Sequence, residues 1–237
     1  MTNEVQLQRA YYTGGSPLLD PAEGIVGSHD LAQSLLIGFL GGIEVASLLD
    51  VGAGTGRMLA KIKEIYPGIE VKGVEPSPDL RAVSVERWGL KPGQIVEGDA
   101  TKLPFADASV DVVSAFGILH HIKDHARAVA ELARVARKAV VISDVNCYGQ
   151  GGKPVRLVKH ALRALRLWDA ATWLRSGGKG YFWSEGDGVY YSYSLIDDLP
   201  ILNRRFRNVI LANASGKSTD HFRDSPYLVA IASDEHI

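Results

Sequence analysis

A glycine loop, three carboxylates and a pair of histidines are the residues of this chain whose types and spacing could do chemistry. The loop is Leu48-Leu49-Asp50-Val51-Gly52-Ala53-Gly54-Thr55-Gly56-Arg57: an apolar run, three alternate glycines, then a helical pattern. Glycine lets the backbone turn tightly and approach a ligand with no Cβ in the way. A dinucleotide fingerprint, G-x-G-x-x-G, seats a pyrophosphate on the helix N-terminus. Here the spacing is G-x-G-x-G, and Asp50 would repel a pyrophosphate while suiting a cationic ligand. Glu75 closes the next apolar run, followed by Pro76 and Ser77. An acid at that place can accept from both hydroxyls of a ribose. Asp99, in Gly98-Asp99-Ala100, follows a third run, where it could meet an adenine amino group. Each acid alone reads more readily as a helix N-cap or a solvated loop acid. Together, in register with the loop, they point to a nucleoside site.

His120 and His121 follow the fourth apolar run. Imidazole titrates near neutrality, so either could take the proton of a hydroxyl acceptor as a general base. One of them is expected instead to pack structurally and donate to a backbone carbonyl. The sequence leaves open which. Residues 181–191, Tyr-Phe-Trp-Ser-Glu-Gly-Asp-Gly-Val-Tyr-Tyr, mix aromatics, acids and glycines. This suits a carbohydrate or other polyhydroxyl acceptor, with Tyr190 and Tyr191 as platforms and Glu185 and Asp187 as acceptors. The competing reading is a hairpin whose aromatics cover the core.

These residues need elements to position them. Short β-branched runs at 46–51, 69–74, 94–97, 110–116 and 139–144 alternate with helical patterns at 57–66, 78–88 and 124–137. Strand–helix alternation requires crossover helices and yields a parallel sheet covered on both faces. Two later runs, 208–212 and 227–232, read as an antiparallel hairpin at one sheet edge. A helix over 30–40 is expected to stop at Gly41 and Gly42. The sequence thus predicts one domain over 1–237, with an N-terminal cap at 1–45. Residues 146–198 interrupt it after the fifth strand, where open α/β sheets bind ligands, and read as a lid over the substrate.

With these motifs the sequence resembles the class I S-adenosylmethionine (SAM) dependent methyltransferases. The matching stretches are LLDVGAGTG at 48–56, VEPS at 74–77, GDATKLPF at 98–105 and DVVSAFGILHHI at 111–122. The resemblance implies an α/β, Rossmann-like, doubly wound seven-stranded sheet with the last strand antiparallel. It also implies SAM as cofactor, S-adenosylhomocysteine as product and no metal. Carried over by position, Gly52, Ala53, Gly54 and Gly56 would line the methionine part of SAM, next to Asp50. Glu75, with Pro76 and Ser77, would hold the ribose, and Asp99 and Ala100 the adenine. Phe116 would lie along the cofactor. Tyr11 would close that site, with Tyr12 beside it toward the substrate. The Pro-Gly-Gly turn common before the family's fifth strand is replaced by Arg134-Val135-Ala136-Arg137-Lys138-Ala139.

Composition narrows the classes. Of 237 residues 46% are hydrophobic and 22% charged, which is ordinary for a globular chain and unlike a disordered one. A net charge of −1 argues against dedicated nucleic-acid binding. One cysteine, Cys147, excludes a disulfide framework and a cysteine-based zinc site. The polar stretch 1–8 lacks the apolar core of a secretory signal, so a cytoplasmic protein is expected. Residues 153–179 hold seven Lys or Arg and one acid, Asp169, a local charge of +6 that leaves −7 for the rest. Such a basic amphipathic stretch is either a docked helix with a solvated face or a contact for a membrane or anionic substrate. The expected activity is methyl transfer to a small-molecule or carbohydrate-like acceptor, at oxygen. The alternatives are N-methylation, a SAM-binding module without turnover, and an NAD-dependent oxidoreductase.

Overall fold

The computed structural model describes residues 7–8, 10–12, 30–215, 220 and 223–235. Most of the 1–45 cap therefore lies outside the described residues. Residues 7, 8, 10 and 11 are helical, and α1 (Asp30–Gly42) follows. α1 runs through both glycines expected to end it, because Gly41 sits against the ring of Tyr66. A Cβ there would lie 2.8 Å from the Tyr66 hydroxyl, which donates to the Ile37 carbonyl.

The alternation is then β1 (Ser47–Val51), α2 (Arg57–Ile65), β2 (Glu70–Val74), α3 (Pro78–Glu86), β3 (Ile95–Val96), β4 (Val110–Phe116), α4 (His125–Val135) and β5 (Ala136–Val145). Local chemistry starts the helices. The Ser77 and Asp124 side chains accept the Leu80 and Arg127 N–H groups at the heads of α3 and α4. β5 begins three residues earlier than the apolar run suggested. Where the Pro-Gly-Gly turn is missing, α4 passes into β5 with no loop between them.

After β5 come a one-turn 3₁₀ helix (Cys147–Gly149), α5 (Lys153–Ala164), α6 (Trp168–Arg175), a hairpin of β6 (Phe182–Ser184) and β7 (Gly188–Tyr190), and α7 (Leu195–Arg205). Because α7 begins at Leu195, the expected insert takes in the first turn of this crossover helix. β8 (Asn208–Asn213) and β9 (Tyr227–Ser233) complete a seven-stranded sheet in the order β3-β2-β1-β4-β5-β9-β8. β9 runs antiparallel to β5 and to β8, and the other pairs are parallel.

Side chains alternate between two cores. Leu49, Val113, Val140 and Ile142 pack with α4 and α7 on one face, and Leu48, Val112 and Val141 with α1 and α2 on the other. Strand order reverses between β1 and β4, which opens a crevice at their carboxyl ends. No helix among the described residues is long and apolar enough to cross a membrane.

The exit of β5 is closed against the entry of β9: a Cβ on Gly149 would collide with the backbone of Ser225. Gly149→Ala should therefore cost about 1–3 kcal/mol, the usual price of overpacking. Gly186→Ala, where a Cβ meets nothing within 4 Å, should be nearly neutral. Urea denaturation of the two variants measures the contrast.

Candidate active site

The crevice is built first by the glycine loop. The N–H groups of Gly52 and Ala53 both donate to the Val74 carbonyl, at 2.7 and 3.0 Å, folding the loop over the end of β2. Gly52 has φ +74°, and a side chain there would run into Ile118. At Gly54, φ +54°, a Cβ would meet nothing within 4 Å, so bare backbone faces open space.

Glu75 joins the two sides. Its carboxylate accepts the Gly54 N–H at 2.9 Å and the Ser77 N–H at 2.8 Å. Burial raises its pKa, partly offset by those two N–H groups. Asp50 is buried and accepts from the Ser114 hydroxyl on β4 at 2.8 Å. Burial lifts it to about 7, against the Ser114 bond and with help from the charge of Glu75. Pro76 is half-buried between Glu75 and Ser77, and Ala100 is buried. Asp99 stays exposed and turns one oxygen onto the N–H and hydroxyl of Thr101, both at 2.8 Å. Phe116 is half-buried and packs on the α1–α2 core.

Both histidines lie beyond β4, in a one-turn 3₁₀ helix, Leu119–His121. His120 Nδ1 is 2.7 Å from Asp144 at the end of β5, and its Nε2 is 3.4 Å from Asp187. Asp144 has no exposed surface, and it also accepts the N–H groups of Leu119 (2.8 Å) and Val145 (2.7 Å). His121 Nδ1 lies 2.6 Å from the Val189 carbonyl, which can only accept. That tautomer leaves the His121 Nε2 lone pair facing Asp187 at 3.6 Å.

The electrostatics of the two rings diverge. Burial alone would lower the His120 pKa, but the charge and hydrogen bond of Asp144, then those of Asp187, lift it to about 10. Burial, with the positive charge of His120, drives His121 down to about 4. Burial raises both Asp144 and Asp187, but the charge and hydrogen bond of His120, joined by the Val145 and Leu119 N–H groups at Asp144 and by His121 at Asp187, hold both below the usual carboxylate range. The ligand atoms of His120, His121 and Asp187 lie within 4.8 Å of one another, close enough to surround a cation. The proton on His120 already supplies a positive charge between the two carboxylates.

The N-terminal residues and the hairpin complete the wall. Gln8 accepts the Val189 N–H and donates to the Asp187 carbonyl at 3.3 Å. Tyr11 donates to the Glu185 carbonyl at 2.9 Å. Tyr12 stands edge-on to His121, with ring centroids 6.5 Å apart. Burial raises the Tyr12 pKa, helped by the charges of Asp187 and Glu75. Tyr12 therefore lies within electrostatic reach of Glu75. Tyr190 stacks on Phe182 and Tyr191 meets Tyr181 edge-on, so these rings cover their own hairpin. Glu185 is exposed. The structure thus gathers the glycine loop, Glu75, Tyr12, both histidines and Asp187, and leaves Asp99 and Glu185 exposed. Asp144 and Gln8 escape a reading from sequence. An acid closing an otherwise apolar strand was a signal for the first, and Gln8 had none.

Residues 49–143 match the family model described as a methyltransferase domain. Over 91 residues the chain is 37% identical to a demethylmenaquinone methyltransferase of Deinococcus radiodurans, covering 37% of each protein. Over 99 residues it is 36% identical to a malonyl-[acyl-carrier protein] O-methyltransferase of Xylella fastidiosa, covering 40% of this chain and 34% of the relative. The chain thus spans about two fifths of the length of the curated relatives it matches. Among solved structures it resembles an S-adenosylmethionine dependent methyltransferase from Mesorhizobium loti, with a TM-score of 0.55 and 16% identity over 87% of this chain and 100% of that one.

NMR titration of the imidazoles should find His120 protonated up to about pH 10 and His121 neutral down to about pH 4. The sign follows by linkage. His120, raised in the fold, contributes stability that is complete below its unfolded pKa and lost as pH rises through about 10. His121, depressed, contributes stability that is complete above its unfolded pKa and lost as pH falls through about 4. An ordinary midpoint for both would contradict the geometry.

Proposed function

We propose, for a chain that carries a methyltransferase domain at 49–143 on the class I fold, that it transfers a methyl group from SAM to the hydroxyl of a small-molecule acceptor. The observation carrying this reading is the buried pair of His120 and Asp144 at the crevice formed by the glycine loop.

The residues present fit the cofactor. Gly54 offers open backbone, and each Glu75 oxygen keeps a lone pair beyond the N–H group it accepts. Glu75, and Asp50 as it ionises above about pH 7, supply negative character that suits a sulfonium ligand. Gly52, Ala53, Gly54 and Gly56 would line its methionine part. Glu75, Pro76 and Ser77 would hold the ribose, with Asp99 and Ala100 at the adenine. Tyr12 and Phe116 would flank it. When bound, SAM supplies an electrophilic methyl carbon on a positively charged sulfur.

The protein's task is alignment and proton removal. Asp144 is a positioning residue: it fixes the His120 ring and keeps the proton on Nδ1, so Nε2 faces the acceptor side. Asp187 occupies Nε2 from the hairpin turn, and an acceptor hydroxyl would replace it there. His120 then takes the hydroxyl proton. His121, tied to Val189, is the structural partner. The relatives' names give different acceptors, demethylmenaquinone for one and a malonyl-[acyl-carrier protein] for another, and the first supports a small-molecule acceptor here.

Two measurements test this. Glu75→Gln keeps an acceptor for the loop but removes the charge, and SAM affinity by calorimetry should fall at least about tenfold, the loss of one charge-assisted bond. His120→Ala should cut turnover by about 10²–10⁴ with SAM affinity unchanged. In the parent, turnover should climb with pH toward about 10, because only the neutral ring accepts a proton. Asp187→Asn should move that limb to lower pH. A flat profile in the parent, or a limb unmoved by Asp187→Asn, would assign the proton to another group.

A further inference from the structure

Amphipathic helices ordinarily bury their apolar stripe. α2 does so with Met58, Leu59 and Ile62, and α4 with Val129, Leu132 and Val135. α5 is more strongly amphipathic than either, with Val155, Val158 and Leu162 in one stripe that Leu165 continues just past its end, yet none of its residues is fully buried. The same holds for α6. Of the thirteen exposed large hydrophobic residues among the described part of the chain, seven fall between Val155 and Leu174. Leu157 is 72% exposed, Leu165 67%, Trp173 55% and Leu174 71%. Between the helices an apolar groove of about 350 Å³ runs along Val155, Val158, Leu162 and Trp168.

The pair is not loosely attached. Lys159 donates to the Cys147 and Gln150 carbonyls, and Arg163 pairs with Asp197 at the head of α7. The Tyr148 ring packs between Trp168, at 5.2 Å, and the Arg163 guanidinium, at 5.0 Å. These contacts fix the pair through Lys159 and Trp168, which also line the groove, and leave Leu157, Leu165, Trp173 and Leu174 exposed. Lys153, Arg156, Arg166 and Lys179 have no ion pair among the described residues. They carry most of the +6 that opposes −7 elsewhere in the chain.

We propose that the α5–α6 pair is a docking surface for an anionic phospholipid bilayer, its apolar side chains entering the acyl boundary and its lysines and arginines meeting the headgroups. Apolar area with Lys and Arg beside it, and Trp at the boundary, is the chemistry an anionic interface selects. A second copy of the chain is disfavoured, since a symmetric contact would set two +6 surfaces against each other. The inference does not depend on the reading of the cofactor site.

Co-sedimentation of the full chain with phosphatidylcholine vesicles, with and without phosphatidylglycerol, tests it in the absence of SAM. Binding should be at least about tenfold stronger to the anionic vesicles and should weaken as salt shortens the screening length. Lys153→Gln with Arg156→Gln should lower the partition coefficient by roughly fivefold per charge. Leu165→Ser with Leu174→Ser should lower it further, and tryptophan emission of the parent should shift to the blue on binding. Equal binding to both vesicles, no binding, or indifference to both variant pairs overturns the proposal. So does a dimer in sedimentation velocity that Leu165→Ser with Leu174→Ser dissociates, which would make a second copy the occupant. Full displacement from vesicles by millimolar glycerol phosphate would likewise replace the bilayer with a pocket for a free anion.

Discussion

A carboxylate with no surface in water cannot remain ionised unless charge and hydrogen bonds surround it, and Asp144 is the place where this protein meets that constraint. It stands at the end of a central strand. From there it accepts the N–H that begins the turn after β4, the N–H of its own successor and the Nδ1 proton of His120. The ends of β4 and β5 are thereby tied to one another, and the His120 ring has a single orientation. The proton on that ring is part of the structure as much as of the chemistry, because removing either partner leaves a buried charge alone.

The remainder of the crevice follows from the same economy of buried polar groups. Glu75 carries one N–H from the glycine loop and one from the head of α3, so the loop, β2 and α3 meet at a single carboxylate. Two buried acids, each at the end of a parallel strand on either side of the switch point, organise the two halves of the crevice. The hairpin and Gln8 close over the second of these. Asp187, carried on the turn of that hairpin, brings its carboxylate to 3.4 Å from His120 Nε2.

The segment after β5 has two different relations to the body of the fold. The hairpin is woven into the site by Tyr191 N–H to the His120 carbonyl at 2.7 Å and by the Val189 carbonyl on His121. The helix pair is attached through Lys159, Arg163 and Trp168 and leaves Leu157, Leu165, Trp173 and Leu174 exposed. A small sheet protein has no need to expose so much hydrocarbon in one segment, and the basic residues beside it define what could cover it.

Much was legible from residues alone. The alternation of apolar runs and helical patterns determined the order of strands and helices, because a period of two and a period near 3.6 bury different faces. The G-x-G-x-G spacing placed a tight turn after β1, and the steric needs of a left-handed backbone allow few substitutes at Gly52. The strand ends were less legible. β5 starts at Ala136, and α1 passes Gly42, because packing against neighbours overrode local stop signals. The two histidines could not be told apart in sequence, since adjacent residues of one type carry identical local information. Only the tertiary structure gave them different partners. It brought Asp144 from 24 residues away to one ring and the Val189 carbonyl from 68 residues away to the other, and partners so distant leave no periodicity in the chain to be read.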